Sequence, residues 1–270
     1  MLSVHTVEGE SSHVRKLLVA ILAVGVVATL AAPAGAQADK GPLEVGTNLP
    51  APGFWDGSSP TDITGGFEYD LAKDIAKKLG SDGVDVVNVS FDALVAGKAK
   101  GFDMALSQVT ITKDRAKVVA FSTPYFNSDQ GVLVRTGTKV TSKNAKSLQW
   151  GVQTATTAQD YLKTKIKPTK APRVYQETSQ AFAALQAKQI DAVMLDTAIV
   201  LQQAAASNGE FKVVGQFKTG EQYGAVLPKG SKILEQVNSA IKALKADGTL
   251  AEIATKNIGG DPATIPYLKG

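Results

Sequence analysis

Two short stretches decide the fold, GFDMAL at residues 101–106 and QIDAVM at residues 189–194. Each follows a segment with the spacing of an amphipathic helix, and each turns through an aspartate, Asp103 or Asp191, into an apolar run. A short apolar run after a helix and a turn is typical of a buried strand in a parallel sheet. Because the unit occurs once in each half of the chain, the sequence predicts two similar α/β lobes with parallel-rich sheets flanked by helices.

The segments around these stretches extend the same pattern. Leu71, Ile75 and Leu79 recur every four positions, which predicts a helix over 70–79 that stops at Gly80. The other predicted elements are strands over 43–47, 84–89, 104–106, 174–175 and 192–195 and helices over 91–100, 178–188, 197–204 and 233–246.

Two more strand-like stretches, 131–135 and 223–227, predict that the chain leaves the first lobe, builds the second and returns. The expected division is a discontinuous first lobe, residues 41–132 and 225–270, around a continuous second lobe, residues 133–224. Two such strands would form a hinge. Because ligands of open α/β sheets bind beyond the carboxyl ends of the strands, we expect a ligand in the cleft between the lobes.

The N-terminal segment has the features of a secretory signal peptide. A basic pair precedes the apolar run 17–32, which is shorter than the roughly 20 residues that cross a bilayer. Small residues at a cleavage site follow. We expect residues 1–36 to be removed by cleavage after Ala36, with Ala38 as the alternative, and the protein to be exported to the periplasm or the extracellular space.

Two absences from the composition limit the function. The sequence has no cysteine, and its two histidines, His5 and His13, lie in the segment expected to be removed. The mature chain would therefore lack the groups for Ser–His or Cys–His catalysis and for zinc sites built from Cys or His. The mature chain would also carry no disulfide and no lipidated cysteine, so we expect that the protein is not a lipoprotein. Nothing in the sequence calls for a cofactor.

The net charge of +4 does not indicate a nucleic-acid-binding protein, because the cations are dispersed among acids. The densest basic stretch, 163–173, surrounds Pro168 and Pro172 and contains no aromatic residue. We interpret it as a solvated loop, with a docking patch for a partner as the alternative. No nucleic-acid partner is expected.

Five motifs follow one another along the chain, GFEYDL at 66–71, TITKDR at 110–115, FSTPY at 121–125, DAV at 191–193 and DGT at 247–249. Together, within residues 43–260, they resemble the extracellular amino-acid-binding proteins of ABC importers, solute-binding protein family 3. The resemblance implies the type II periplasmic-binding-protein fold, which closes on its ligand like a Venus flytrap. It also implies a monomeric protein, not an enzyme, that binds an L-amino acid and delivers it to the permease and ATPase subunits of an importer.

The resemblance implies that Arg115 clamps the α-carboxylate of the ligand. A guanidinium suits this role because it stays charged and can donate two parallel hydrogen bonds. Thr110 would add its hydroxyl or its backbone N–H, and the backbone around Gln108 would contribute. Without the resemblance, Arg115 would be interpreted as a solvated surface residue.

The resemblance implies that the second lobe holds the rest of the ligand. Thr156 and Thr157 would open a helix whose N–H groups favour an anion, and Asp196 would pair with the α-ammonium. The plainer interpretation of Asp196 is a helix N-cap. Phe91 and Trp55, or Phe54 in its place, would cover the apolar part of the ligand, although Phe91 alone is typical of a core residue.

The expected side-chain pocket is neutral. Asn48 stands where many family members have an acid, and Gln108 and Gln153 add two more amides. Amide groups favour a polar uncharged ligand, with glutamine as the first choice. The alternative function is a cyclohexadienyl-type dehydratase on the same fold, with Glu68 or Glu177 as its general acid.

Overall fold

The computed structural model describes residues 41–269, so the predicted signal peptide lies outside it. In this range two five-stranded sheets are each flanked by helices, which confirms the predicted α/β fold. No helix among residues 41–269 is long and apolar enough to cross a membrane.

Strands and helices alternate in both halves of the chain. The strands are β1 (Leu43–Thr47), β2 (Val84–Asn88), β3 (Met104–Ala105), β4 (Ala120–Phe121), β5 (Phe126–Arg135), β6 (Trp150–Gln153), β7 (Arg173–Tyr175), β8 (Ala192–Asp196), β9 (Phe211–Tyr223) and β10 (Val226–Leu227). The helices are α1 (Phe67–Leu79), α2 (Phe91–Val95), α3 (Arg115–Val118), α4 (Thr157–Tyr161), α5 (Thr178–Gln186), α6 (Thr197–Ala206), α7 (Leu234–Ala246) and α8 (Thr249–Asn257).

The first sheet has the strand order β2-β1-β3-β10-β4. β1 pairs in parallel with β2 and β3, whereas β10 runs antiparallel to β3 and β4. α1, α7 and α8 contribute apolar side chains to its core, among them Leu71, Ile75 and Ile241, all fully buried. The spacing of four between Leu71 and Ile75 places both on the buried face of α1.

The second sheet has the order β7-β6-β8-β5-β9. β6 pairs in parallel with β7 and β8, and β5 runs antiparallel to β8 and β9. The chain enters this sheet through β5 and leaves it after β9 for β10 of the first sheet. We call the part that carries the first sheet lobe 1 and the part that carries the second sheet lobe 2.

The predicted lobe boundaries stay a prediction. Strand pairing shows which sheet the chain contacts near each boundary. β5 already pairs within the second sheet at Phe126. Near the other end of the chain, Tyr267 pairs with Gln216 of β9, so the tail also lies against lobe 2.

Several elements differ from the sequence prediction, among them α2, α1, the strand 223–227 and the basic stretch 163–173. α2 ends at Val95, not at residue 100, because Gly97 has a left-handed φ of 69° and cannot continue the right-handed helix. A side chain at this position would also lie 2.9 Å from the Val118 carbonyl oxygen. α1 begins three residues early, directly after Gly66. The predicted strand 223–227 is divided, with β9 ending at Tyr223 and β10 starting two residues beyond Gly224.

The fourth difference lies in the basic stretch. The predicted loop 163–173 begins within a π-helical turn, Leu162–Ile166. Leu162 and Ile166 are buried in the core of lobe 2, and the lysines between them are exposed.

Candidate ligand-binding site

A cavity lies between the two sheets, with about 670 Å³ of empty space when its open mouth is counted. Much of its wall comes from residues at or just beyond the carboxyl ends of β1, β3, β6 and β8, where ligands of α/β sheets bind. α5 and α6 complete the wall of lobe 2. The lining residues are Asn48, Pro50, Ala51, Pro52, Phe54, Phe91, Ser107, Gln108, Thr110, Arg115, Gln153, Thr156, Thr157, Thr178, Phe182, Leu195, Asp196, Ile199, Gln202 and Gln203.

The cavity brings together nine of the ten residues predicted for the site. They are Asn48, Phe91, Gln108, Thr110, Arg115, Gln153, Thr156, Thr157 and Asp196.

Trp55 is the predicted residue that does not line the cavity. Its side chain is fully buried, and its Nε1 donates to Glu68 Oε2 at 2.9 Å and to the Leu106 carbonyl oxygen at 3.1 Å. The neighbouring Phe54 lines the cavity in its place. Of the two alternatives that the sequence offers, Phe54 lines the cavity with Phe91, and Trp55 does not.

Glu68 is fully buried in lobe 1 and holds the framework of the site. Besides Trp55, the Tyr125 hydroxyl and both the backbone N–H and the side-chain amide of Gln108 donate to its carboxylate. Burial raises the pKa of Glu68, and these hydrogen bonds oppose the rise. Gln108 adopts a left-handed φ of 50°, and the two hydrogen bonds to Glu68 hold it there.

Arg115 begins α3 and is 8% exposed. Its Nη1 donates to the Thr110 carbonyl oxygen at 2.8 Å, and its Nη2 donates to the Ala155 carbonyl oxygen at 2.9 Å. The guanidinium lies 5.4 Å from the centre of the Phe91 ring. Burial lowers the pKa of Arg115, while Asp196 and then Glu221 act in the opposite direction. A guanidinium has five N–H donors, so three remain beyond these two contacts.

Asp196 ends β8 and is 6% exposed. Its Oδ1 accepts from Gln130 Nε2 at 2.5 Å, and its Oδ2 accepts from the Tyr223 hydroxyl at 2.5 Å. The side chain makes no cap hydrogen bond to α6, although it stands at the N-cap position. Burial, and next the nearby Glu221, raise the pKa of Asp196 to about 7. Asp196 is therefore a buried acid facing a cavity and not a helix cap.

Thr156 caps α4 as the sequence predicts. Its Oγ1 accepts from the Gln159 backbone N–H at 3.2 Å and donates to the Gln153 carbonyl oxygen at 2.7 Å. Its hydroxyl is thus engaged within lobe 2, while Thr157 directs its hydroxyl elsewhere, to Glu221.

Glu221, like Gln202 and Gln203 of the cavity wall, is not among the residues that the sequence predicts for the site. It lies on β9 and accepts from the hydroxyls of Thr110 and Thr157 at 2.6 and 2.7 Å. The local sequence around Glu221 carries no signal for this role, because its partners lie 64 or more positions away in the chain.

Amide side chains form the other part of the wall. Gln153 Nε2 lies 3.1 Å from Asn48 Oδ1, and Asn48 Nδ2 donates to the Val89 carbonyl oxygen at 3.1 Å. Gln202 and Gln203 of α6 add two more amides. Among the lining residues, Arg115 and Asp196 alone carry charge.

Known proteins share this sequence and fold. The chain is 29% identical over 259 residues to the L-cystine-binding protein TcyJ of Escherichia coli (strain K12), covering 92% of this chain and 96% of that protein. It is 33% identical over 207 residues to the ABC transporter glutamine-binding protein GlnH of Bacillus subtilis (strain 168), covering 73% and 74%.

A solved structure of an ancestral arginine-binding protein bound to glutamine superposes with a TM-score of 0.71 at 35% identity, covering 81% of this chain and 98% of that one. The sequence profile of the bacterial extracellular solute-binding proteins, family 3, matches residues 43–260. The predicted family is thereby confirmed. The chain belongs to the bacterial extracellular solute-binding proteins of family 3.

Proposed function

We propose that this protein captures an uncharged polar L-amino acid, glutamine first, in the cavity between its lobes and delivers it to an ABC importer. The observation that carries the proposal is the charge of the cavity wall, which holds one cation, Arg115, and one buried acid, Asp196. This pair complements one α-carboxylate and one α-ammonium and leaves no charge for the ligand's side chain.

Arg115 is prepared to hold a carboxylate. Two of its N–H groups are already fixed by carbonyl oxygens of Thr110 and Ala155, so the guanidinium plane is set before a ligand arrives. The Phe91 ring lies against it. A fixed guanidinium loses little side-chain entropy on binding a carboxylate.

Asp196 is suited to an α-ammonium. Its carboxylate accepts one hydrogen bond at each oxygen and has lone pairs left for a further donor. An ammonium beside this buried acid would favour its charged form, which the protein alone disfavours. Binding and ionisation of Asp196 therefore support one another.

The neutral part of the wall supports an amide ligand. Asn48, Gln153, Gln202 and Gln203 carry amide groups like that of a glutamine side chain. Gln153 Nε2 already donates to Asn48 Oδ1 and to the Gln176 carbonyl oxygen, so Gln153 offers its own carbonyl oxygen to a ligand. Arginine or lysine would bring a cation without an acid to pair with it, and glutamate a carboxylate without a second cation. Cystine would bring a second carboxylate and a second ammonium.

The relatives are named for several amino acids, cystine, arginine and glutamine among them, so they are consistent with glutamine without selecting it. One curated relative is named a glutamine-binding protein, and the solved ancestral protein is described as bound to glutamine. The proposal includes delivery to the permease and ATPase subunits of an importer and action outside the cytoplasm, which membership of the family supports. It also includes action as a monomer and export by a cleaved signal peptide.

No residue of the described cavity favours the dehydratase alternative. Glu68 is enclosed by its hydrogen-bond donors, and Glu177 forms a capping box with Gln180 at the start of α5. Neither carboxyl group lines the cavity.

A thermal-shift screen of the mature protein with the common L-amino acids and L-cystine tests the proposal. A ligand at about 100 times its dissociation constant adds roughly 2.7 kcal/mol to the free energy of unfolding. L-Glutamine is expected to give the largest shift. Binding of arginine, lysine or glutamate at least about tenfold tighter than glutamine would overturn the choice of ligand, and no shift with any amino acid would overturn the function.

A further inference from the structure

Glu221 joins the two sides of the cavity beneath the proposed ligand site. It is half-buried on β9, and its Oε2 accepts from Thr110 Oγ1 at 2.6 Å and from Thr157 Oγ1 at 2.7 Å. Thr110 follows β3 of lobe 1, and Thr157 begins α4 of lobe 2. One carboxylate oxygen thus holds a hydroxyl from each lobe, and both threonines line the cavity.

These contacts determine the direction of two protons. A threonine hydroxyl has one proton and two lone pairs, and a carboxylate can only accept. The single proton of each hydroxyl therefore points to Glu221. What Thr110 and Thr157 can present to a ligand in the cavity is a lone pair, so both oxygens act there as acceptors.

Gln130 connects Glu221 to Asp196. Its Nε2 donates to Asp196 Oδ1 at 2.5 Å and to Glu221 Oε1 at 2.9 Å, and it makes a longer contact of 3.3 Å with Thr157 Oγ1. The two shorter hydrogen bonds direct the amide protons mainly to the carboxylates. Gln130 Oε1 is buried without a hydrogen-bond partner among the described residues. The two carboxylates thus fix the orientation of the amide, although the carbonyl oxygen is left unpaired.

We propose that Glu221 is a positioning residue for the α-ammonium of the ligand. By turning the hydroxyl protons of Thr110 and Thr157 away from the cavity, it makes both oxygens acceptors that act together with Asp196. This inference rests on the proposed amino-acid binding. It revises the expectation that the Thr110 hydroxyl donates to the α-carboxylate, which is left to Arg115 and to backbone N–H groups.

A near-isosteric substitution separates this role from a structural one. In Glu221→Gln the side chain keeps its size, but its NH₂ group can only donate. In the place of Oε2 the NH₂ group takes the acceptor from both threonine hydroxyls, which can then turn their protons toward the ammonium. In the place of Oε1 it faces the Nε2 donor of Gln130, which also donates to Asp196. We expect the affinity for L-glutamine, measured by calorimetry, to fall roughly tenfold or more. Glu252→Gln removes the same charge at an exposed position on α8 and is expected to leave the affinity unchanged.

A double-mutant cycle shows whether Glu221 acts through Thr157. Thr157→Val removes one of the hydroxyls that Glu221 orients, so Glu221→Gln should reduce the affinity by a smaller factor in that background than in the wild type. Thr157→Ser keeps the hydroxyl, so in that background Glu221→Gln should again reduce the affinity by the full factor seen in the wild type. If Glu221→Gln does not fold, Glu221→Ala takes its place in the cycle.

Three results would overturn the inference. They are wild-type affinity in the folded Glu221 variant, equal losses in both backgrounds, and failure of both Glu221 variants to fold, which would make the residue part of the framework. A wild-type protein that binds neither L-glutamine nor any other common L-amino acid is a distinct outcome, because it overturns the proposed function and this inference with it.

Discussion

Arg115 and Ala155 are joined across the cavity, with Nη2 of the arginine 2.9 Å from the carbonyl oxygen of the alanine. Arg115 lies in lobe 1, and Ala155 follows β6 of lobe 2. Gln153 and Asn48 form a second contact of this kind at 3.1 Å. The residue proposed to hold the ligand's carboxylate therefore also holds the two lobes together, so that binding and closure depend on the same guanidinium.

Substitution of Arg115 is expected to abolish most binding without unfolding the protein. Arg115→Ala leaves the α-carboxylate of the ligand without its buried partner, which should cost roughly 2–5 kcal/mol of binding free energy. Arg115→Lys should recover little, because an ammonium cannot donate two parallel hydrogen bonds. Calorimetry with L-glutamine measures both, and Arg173→Ala, an exposed arginine on β7, is the control. Near-native affinity in folded Arg115→Ala would remove the residue from the site.

Asp196 is expected to make the fold less stable as the pH rises. Its pKa of about 7 lies above the ordinary 3.8, so between these values the folded protein holds a proton that the unfolded chain has lost. Stability should therefore fall by up to about 4 kcal/mol from about pH 4 to pH 7 and then level off. Asp196→Asn lacks this titrating group. The free energy of unfolding of the variant minus that of the wild type, measured by denaturant unfolding, should therefore increase from about pH 4 to pH 7. A stability difference independent of pH would contradict the assignment.

The same acid predicts how the affinity depends on pH. An α-ammonium pairs with the ionised form of Asp196, so the wild-type affinity for L-glutamine should fall as the pH drops below about 7, approaching tenfold per pH unit. Calorimetry at about pH 6 and about pH 8 measures this. Affinity that is constant over this range would show that the α-ammonium does not pair with Asp196.

Asn48→Asp is expected to shift the selectivity toward cationic ligands. The substitution places a carboxylate in the neutral part of the wall and removes the amide that donates to the Val89 carbonyl oxygen. The ratio of affinities for L-arginine and L-glutamine should rise roughly tenfold or more in a competition assay. Gln189→Glu adds the same charge at an exposed turn and should leave the ratio unchanged. An unchanged ratio in Asn48→Asp would place the ligand's side chain elsewhere.

Glu68 is expected to contribute to stability and not to chemistry. Glu68→Ala leaves the buried donors of Gln108 and Tyr125 without their acceptor and leaves Trp55 Nε1 with the Leu106 carbonyl oxygen alone, which should cost roughly 3–5 kcal/mol in the free energy of unfolding. Glu68→Gln keeps part of the network and should cost less. Denaturant unfolding measures both, with the exposed Glu252→Ala as control. Wild-type stability in Glu68→Ala would show that the network does not hold the fold.

The parts of the site that the sequence predicts are those that depend on local pattern and on order along the chain. Thr156 precedes a helix and caps it, and Asp196 follows an apolar strand and reaches the cavity from its end. The choice between Trp55 and Phe54 depends on which of two adjacent side chains turns inward, and that is determined by Glu68, thirteen positions away from Trp55.

Contacts between distant segments were not predictable from the sequence. Glu221 acquires its role from Thr110, 111 positions away, and β9 extends over thirteen residues because it pairs with β5 and not because of its own pattern. Leu162 and Ile166 are likewise buried by contacts with the rest of lobe 2. These contacts stabilise a π-helical turn where the sequence predicts the start of a loop.

A crystal structure of the mature protein grown with L-glutamine tests the central claim most directly. The account predicts electron density for one amino acid between the lobes, with its α-carboxylate on the guanidinium of Arg115, its α-ammonium on Asp196 and its amide among the side chains of Asn48, Gln153, Gln202 and Gln203. A ligand bound outside this cavity, or one whose carboxylate lies away from Arg115, would contradict it.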